Sequence, residues 1–178
     1  DGYSWVQRGN NINGIQGGEF SGYDVCSNNN GNTIAFGAPQ HNGPGGTSPG
    51  TNTGAVRIFD WDGSSWNQRG TDILGESSSD GFGVALSIDD IGNSIVVGAW
   101  KNDGNSGNVN DQRGHARVFD WDGSSWIQRG NDIDGEGYLM HSGYYYKLTR
   151  LNKSPPLEYL NNLIKTKSDE IESINFEK

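Results

Sequence analysis

Four aspartates stand at matched places in this chain. Asp60 and Asp62 lie in Phe59-Asp60-Trp61-Asp62-Gly63-Ser64-Ser65-Trp66, and Asp120 and Asp122 in Phe119-Asp120-Trp121-Asp122-Gly123-Ser124-Ser125-Trp126. Paired carboxylates can divide general acid and general base work, but only where two of them converge on one cleft in contrasting environments. These four flank an Asp-Gly hairpin signal, where a short acidic side chain accepts backbone N–H bonds. They read as turn chemistry on a solvated rim, and no catalytic residue is assigned. His41, His115 and His141 are scattered and not at zinc-ligand spacing, so no metal site is assigned either. Cys26 aligns with Ser87, which marks a small strand residue rather than a nucleophile. No phosphate loop or dinucleotide fingerprint occurs. Ligand chemistry remains in two long loops, Gln40 to Thr53 and Lys101 to Arg113, which differ in composition. In the second, Asn102, Asp103, Asn105, Asn108, Asn110 and Asp111 offer oxygens that could accept from sugars or hold a cation. They are the candidate ligand-binding residues, because binding groups are often mounted on variable loops over a rigid scaffold.

The scaffold is a repeat. The Phe-Asp-Trp-Asp-Gly-Ser-Ser-Trp stretch runs on as Asn67-Gln68-Arg69-Gly70 in one unit and Ile127-Gln128-Arg129-Gly130 in the next, and its end opens the chain as Trp5-Val6-Gln7-Arg8-Gly9. A fixed period of about 60 residues signals an array of similar units. Within each unit, short strand-forming runs alternate with turn residues. In the first, strands are expected at Tyr23–Ser27, Thr33–Gly37, Ala55–Trp61 and from Trp66. In the second they fall at Phe82–Ile88, Ser94–Gly98, His115–Trp121 and from Trp126. Asn28 to Asn32 and Asp89 to Asn93 are turns. Gly22, Gly31 and Gly37 recur as Gly83, Gly92 and Gly98, which marks backbone positions a Cβ would disturb. Four short antiparallel strands per unit fit a β-propeller blade. No 3.6-residue periodicity occurs in residues 1–135, which excludes an α-solenoid; a β-sandwich stays open. The fold expected is therefore all-β: blades at about 18–74 and 79–134, partial blades at each end, and an open rather than closed ring.

The tryptophans at strand starts, Trp5, Trp66 and Trp126, are expected to pack one unit on the next. Arg69 with Asp72, and Arg129 with Asp132, are expected to form an ion pair in each repeat that latches neighbouring units; Arg8 has Asn11 in place of the acid.

The net charge of -9 argues against nucleic acid or an anionic membrane surface as partner. Residues 1–146 carry 17 acidic against 7 basic residues, and residues 147–178 carry 5 against 6. Glycine also falls away after residue 140, so a boundary is placed near residues 138–147. Residues 138–178 read as a divergent tail. Ser142-Gly143 is still on pattern and Tyr144–Leu148 can be a strand, but after Asn152 the repeat stops. Pro155-Pro156 can open a helix, and Leu157, Leu160, Ile164, Ile171 and Ile174 predict an amphipathic helix over about 157–174. No apolar run reaches membrane-spanning length. Because the chain starts inside a repeat and without Met, it reads as a fragment of a longer repeat protein.

Phe82-Gly83 followed by Gly98-Ala99, and Phe20/Gly22 followed by Gly37-Ala38-Pro39, resemble the signature of FG-GAP repeats. Those are the blades of the integrin α-subunit propeller and of many microbial surface proteins. The Trp-x-Gln-Arg-Gly-x-Asp-Ile-x-Gly-Glu pattern is similar to a microbial branch of that family, over about residues 1–137. The resemblance implies a propeller used outside the cell, at the cell surface or secreted, for adhesion to a protein or carbohydrate ligand, with further blades from the same or another chain. Members commonly hold calcium in a loop between the first and second strands. The matching segments here, Ser27–Thr33 and Ile88–Ser94, are tight turns that offer no carboxylate in one unit and only the adjacent Asp89 and Asp90 in the other. Calcium takes six to eight oxygens, so no cofactor is carried over. The functional expectation is non-enzymatic recognition. The alternatives are a structural accessory segment of a larger surface protein or enzyme and, last, a propeller hydrolase.

Overall fold

The computed structural model describes residues 4–43, 52–104 and 112–135, all within the chain's first compact unit, Asp1–Tyr146. The expected strand at 144–148 and helix at 157–174 lie outside the described residues.

Among the described residues the protein is all-β. It has ten strands: β1 (Val25–Ser27), β2 (Thr33–Ala38), β3 (Ala55–Trp61), β4 (Trp66–Gln68), β5 (Ile73–Leu74), β6 (Phe82–Ile88), β7 (Ser94–Ala99), β8 (His115–Trp121), β9 (Trp126–Gln128) and β10 (Ile133–Asp134). They form two antiparallel sheets of five strands and no closed ring. The first sheet runs β1-β2-β3-β4 with β5 also on β3; the second runs β6-β7-β8-β9 with β10 also on β8. The four expected strands of each unit are present. The two-residue strands β5 and β10 are additions, too short to carry an alternation that sequence could show.

The turns explain the hairpins. Asn28 Oδ1 accepts from the N–H groups of Asn32 and Thr33 at 3.0 Å each, and Asp89 Oδ1 accepts from Asn93 and Ser94 at 2.6 and 2.9 Å. A side-chain oxygen that ties down two backbone donors fixes the turn and the register behind it. Asp62 Oδ1 likewise accepts from the backbone of Ser64 and Ser65, and Asp122 repeats this with Ser124 and Ser125. Those two aspartates are turn groups, as their flanking Asp-Gly signal predicts.

The core lies between the sheets. Strand alternation puts Ala35, Val56, Ile58 and Ile73 on the face of the first sheet that meets the second. Phe82, Ile95, Val97, Ala99 and Phe119 answer from the second sheet. Fully burying each of the larger side chains contributes about 1.5–3 kcal/mol. The backbones come so close at β2 and β6 that a Cβ on Gly37 would stand 1.9 Å from the Gly83 carbonyl oxygen. That contact requires glycine at 37, whereas a Cβ on its counterpart Gly98 would meet only Ala85 at 3.4 Å.

Two expectations need correction. Trp5 to Ile12 form no strand, and Trp5 is fully exposed; this segment meets the first sheet through side chains, with Trp66 Nε1 donating to the Arg8 carbonyl at 2.9 Å and Trp61 against Gly9. The arginine pairing also differs. Arg69 pairs with Asp60 and Arg129 with Asp120, each across its own hairpin, whereas Asp72 accepts from Arg57 and Gln68. Gln68 and Gln128 sit four residues before Asp72 and Asp132 and hold those carboxylates themselves. The latch between units exists, but it ends on backbone: Arg69 Nη1 donates to the Gly92 carbonyl at 2.6 Å, and Arg8 Nη1 to that of Gly31 at 2.9 Å.

Candidate functional site

The two units diverge where β2 and β7 end. The first leaves its sheet as Gly37-Ala38-Pro39 and the second as Gly98-Ala99-Trp100. Trp100 is half-exposed, and the Lys101 ammonium lies 4.7 Å from its ring centre. Beside it runs a groove of about 350 Å³, lined by Phe20, Tyr23, Pro39, Gln40, Asn52, Ser79, Gly81, Val84, Trp100 and Lys101. Phe20, Tyr23 and Trp100 each expose more than half of their surface.

The groove wall is strained. Phe20, Asn52 and Ser79 all have positive φ, at 56°, 46° and 67°, and Gln112 is the only other described non-glycine residue of that kind. A left-handed residue other than glycine costs about 1–2 kcal/mol, and such outliers collect at functional sites. Phe20 occupies the place that Gly81, with φ 70°, holds in the second unit. The first unit thus keeps an aromatic ring where its own repeat shows that glycine is the relaxed choice. Three exposed aromatic surfaces around a groove can stack on the apolar faces of sugar rings or clasp apolar side chains, with backbone and amide groups left to fix orientation. No carboxylate lines this groove among the described residues.

Asn102 and Asp103, from the sequence-derived set, line a different cavity. It is a pocket of about 130 Å³ walled by Glu76, Ser77, Asp80, Asn102, Asp103, Gly104, Asp132 and Asp134. Asn102 is buried. Its Nδ2 donates to Asp80 at 2.8 Å, and its Oδ1 accepts from the Gly104 N–H at 2.7 Å. Asp103 Oδ1 accepts from the Gln112 N–H at 3.0 Å. Both side chains therefore shape the ends of the loop that the sequence singled out. Asn105, Asn108, Asn110 and Asp111 lie outside the described residues.

Glu76, His115 and Asp132 bring three potential ligand atoms within 4.8 Å of one another at the edge of this pocket. His115 Nδ1 is buried without a hydrogen bond and stands 3.4 Å from Asp132. However, Arg117 already lies 3.3 Å from Glu76 and 3.6 Å from Asp132. A fixed guanidinium on the same two carboxylates repels an incoming cation, so no metal is assigned to the trio. The thiol of Cys26 is half-buried. Burial, reinforced by the Asp24 charge, pushes it up to about 11, which keeps it protonated and unreactive.

Sequence reasoning missed the groove because its residues come from five separated segments, although Gln40, Asn52 and Lys101 lie in the two long loops that it singled out. One signal was present: of the six tryptophans, Trp100 alone stands outside the repeated Trp positions. Neither a known protein-family model nor a curated protein matches this chain.

Proposed function

We propose that the chain is a non-enzymatic recognition module, two blades of an FG-GAP-type, integrin-α-like propeller, which works outside the cell and binds a glycan or a protein segment. The carrying observation is the groove of Phe20, Tyr23 and Trp100, aromatic, exposed, strained and not repeated between the units. A functional surface needs asymmetry, whereas the shared parts of the repeat are engaged in packing. The resemblance of the repeat pattern to surface adhesion proteins supports the extracellular setting. No described helix is long and apolar enough to cross a membrane.

A glycan and peptide array probed with the full chain, followed by titration of any hit, tests the reading. Trp100→Ala should weaken binding by at least about tenfold, the loss of a 1.4 kcal/mol stacking contact, with no change in the unfolding midpoint. An array without hits, or a Trp100→Ala variant that binds normally, sinks it. The second reading, a structural accessory segment of a larger surface protein or enzyme, is favoured by the apolar outer face of the second sheet, where Ile133 is exposed and Val96, Ala116 and Val118 are half-buried, and it predicts the empty array.

A further inference from the structure

We propose that the groove beside Trp100 takes an acidic sugar, a uronate residue of a glycan, with its ring against the exposed aromatic surfaces and its carboxylate on the Lys101 ammonium. The proposal rests on the recognition reading above and narrows its ligand to one chemical class. The groove lies between matched positions of the two units. Pro39 answers to Trp100, Gln40 to Lys101 and Tyr23 to Val84, each 61 residues apart and all lining it. In every pair the two residues differ in kind, as Phe20 and Gly81 do. Packing positions of the repeat stay alike instead: Trp66 Nε1 donates to the Arg8 carbonyl and Trp126 Nε1 to that of Arg69. Divergence on loops over so constant a scaffold points to a ligand.

Charge selects the ligand. Lys101 carries the only charged side chain in the groove lining among the described residues. Its ammonium lies 4.7 Å from the Trp100 ring centre and makes no ion pair or hydrogen bond among the described residues. Arg57, Arg69, Arg117 and Arg129 each meet a carboxylate instead. The chain has a net charge of -9, so carboxylates are abundant, and a cation held on an aromatic wall away from all of them is available to an anion from outside. The ring attracts the ammonium through its quadrupole and keeps it in the groove without neutralising it. A ligand carboxylate there would be partly screened from water by the aromatic walls, which strengthens the pair beyond one on an open surface.

The remaining polar groups favour a sugar over a peptide. Gln40, Asn52 and Ser79 offer amide and hydroxyl groups that both donate and accept, which is what sugar hydroxyls require. The lining comes from turns and loops, with Val84 of β6 as its one strand residue. The groove therefore presents no run of strand-edge groups for an extended peptide to pair with. Its volume of about 350 Å³ is at the small end of ligand sites, which suits a short glycan segment better than a helix about 10–12 Å across. A polyproline segment also docks on aromatic walls, but it has no use for Lys101. A uronate carries its carboxylate directly on the sugar ring, so ring and charge arrive together at the aromatic surface and the ammonium.

Calorimetric titration of the full chain with short oligomers of galacturonate, glucuronate and mannuronate, each beside its methyl ester, tests the proposal. The ester keeps the ring and removes the charge. At least one acid oligomer should bind, and about tenfold or more tightly than its ester. Lys101→Gln, which installs the residue found at 40, should bring the acid down to the affinity of the ester and leave the ester unchanged, with the unfolding midpoint in place. If Lys101→Gln folds poorly, the ratio of acid to ester on the unaltered chain decides by itself. An acid and ester of equal affinity, an acid indifferent to Lys101→Gln, or no binding of any uronate overturns the proposal. The recognition reading survives that result if a neutral glycan or a peptide binds and Trp100→Ala abolishes it; an array without hits removes both.

Discussion

Glu19, Arg57, Asp72 and His41 in the first unit hold the places that Asp80, Arg117, Asp132 and Asn102 hold in the second. The first set is a closed, buried ion network. Arg57 donates to both Glu19 oxygens at 3.0 and 3.1 Å and to Asp72 at 2.8 Å, with His41 Nε2 3.9 Å from Glu19. The second set is an open acidic pocket. Asp80 is one methylene shorter than Glu19 and bonds Asn102 instead. Arg117 turns to Gln128 Oε1 at 2.8 and 2.6 Å and stacks on Phe82 and Phe119. Glu76, Asp103 and Asp134 add carboxylates where the first unit has Ile15, Asn42 and Leu74. One backbone plan therefore supports either a sealed network or a charged cavity, and a few side chains decide which.

The sharpest way to break that comparison is to remove each arginine. Arg57→Met strands a buried Glu19 carboxylate and should cost about 3–5 kcal/mol. Arg117→Met, whose partner Glu76 is largely solvated, should cost about 1 kcal/mol. Urea unfolding of both variants measures the gap, and equal losses would show that the two networks are not different in kind. The matched glycines give the next effect. Gly37→Ala drives a Cβ into the Gly83 carbonyl and should cost about 1–3 kcal/mol. Gly98→Ala meets Ala85 at an ordinary 3.4 Å and should cost less than about 0.5 kcal/mol. If Gly98→Ala proves the more damaging, the stacking order assigned to the sheets is wrong.

Acid sharpens the comparison further. For Glu19, burial alone would raise the carboxyl, but the Arg57 hydrogen bonds, the Ile15 N–H and the Arg57 and His41 charges outweigh it and hold the group below its ordinary 4.5. Burial, and then the Arg57 charge, lower His41 below its ordinary 6.5 against the opposing pull of Glu19 and Asp72. Both folded-state values are depressed, so the unfolded chain takes up protons first, and both contributions fade as pH falls. The His41 contribution is complete above about 6.5 and declines below it; the Glu19 contribution declines below about 4.5. Unfolding midpoints measured from pH 7 to pH 4 should therefore drop. His41→Asn, which installs the residue found at 102, should flatten the upper part of that drop. An unchanged profile in His41→Asn would remove the histidine from the account. The smallest effect is expected at the groove. Phe20→Gly installs the residue found at 81, relieves the left-handed strain and should leave stability unchanged or raised by about 1 kcal/mol, while any ligand found on the array should bind more weakly. A substantial loss of stability would show that the ring serves packing and not binding.

Much of this architecture was open to reading. The two sheets, their hairpins and the turn role of Asp62 and Asp122 follow from local patterns, because alternation and Asx chemistry act within a few residues. The expected Arg69–Asp72 pair failed because sequence proximity stood in for geometry. Arg69 ends on the Gly92 carbonyl, an acceptor that every residue carries and that no sequence can single out. The Glu19–Arg57 pair was missed because 38 residues separate its partners. Of the six loop residues proposed for binding, Asn102 and Asp103 line the acidic pocket, and the aromatic groove arose from residues never grouped in the chain.

The repeat, the strand order within each unit and the turn glycines that need a left-handed backbone, such as Gly31 and Gly92, could be read from the chain, since these depend on side-chain periodicity and backbone conformation. Only the fold in three dimensions decided which partner each buried charge takes and where the exposed aromatics gather. Those outcomes depend on distances across the sheet interface, where one methylene between Asp80 and Glu19, or one ring in place of Gly81 at Phe20, separates a sealed contact from an open one.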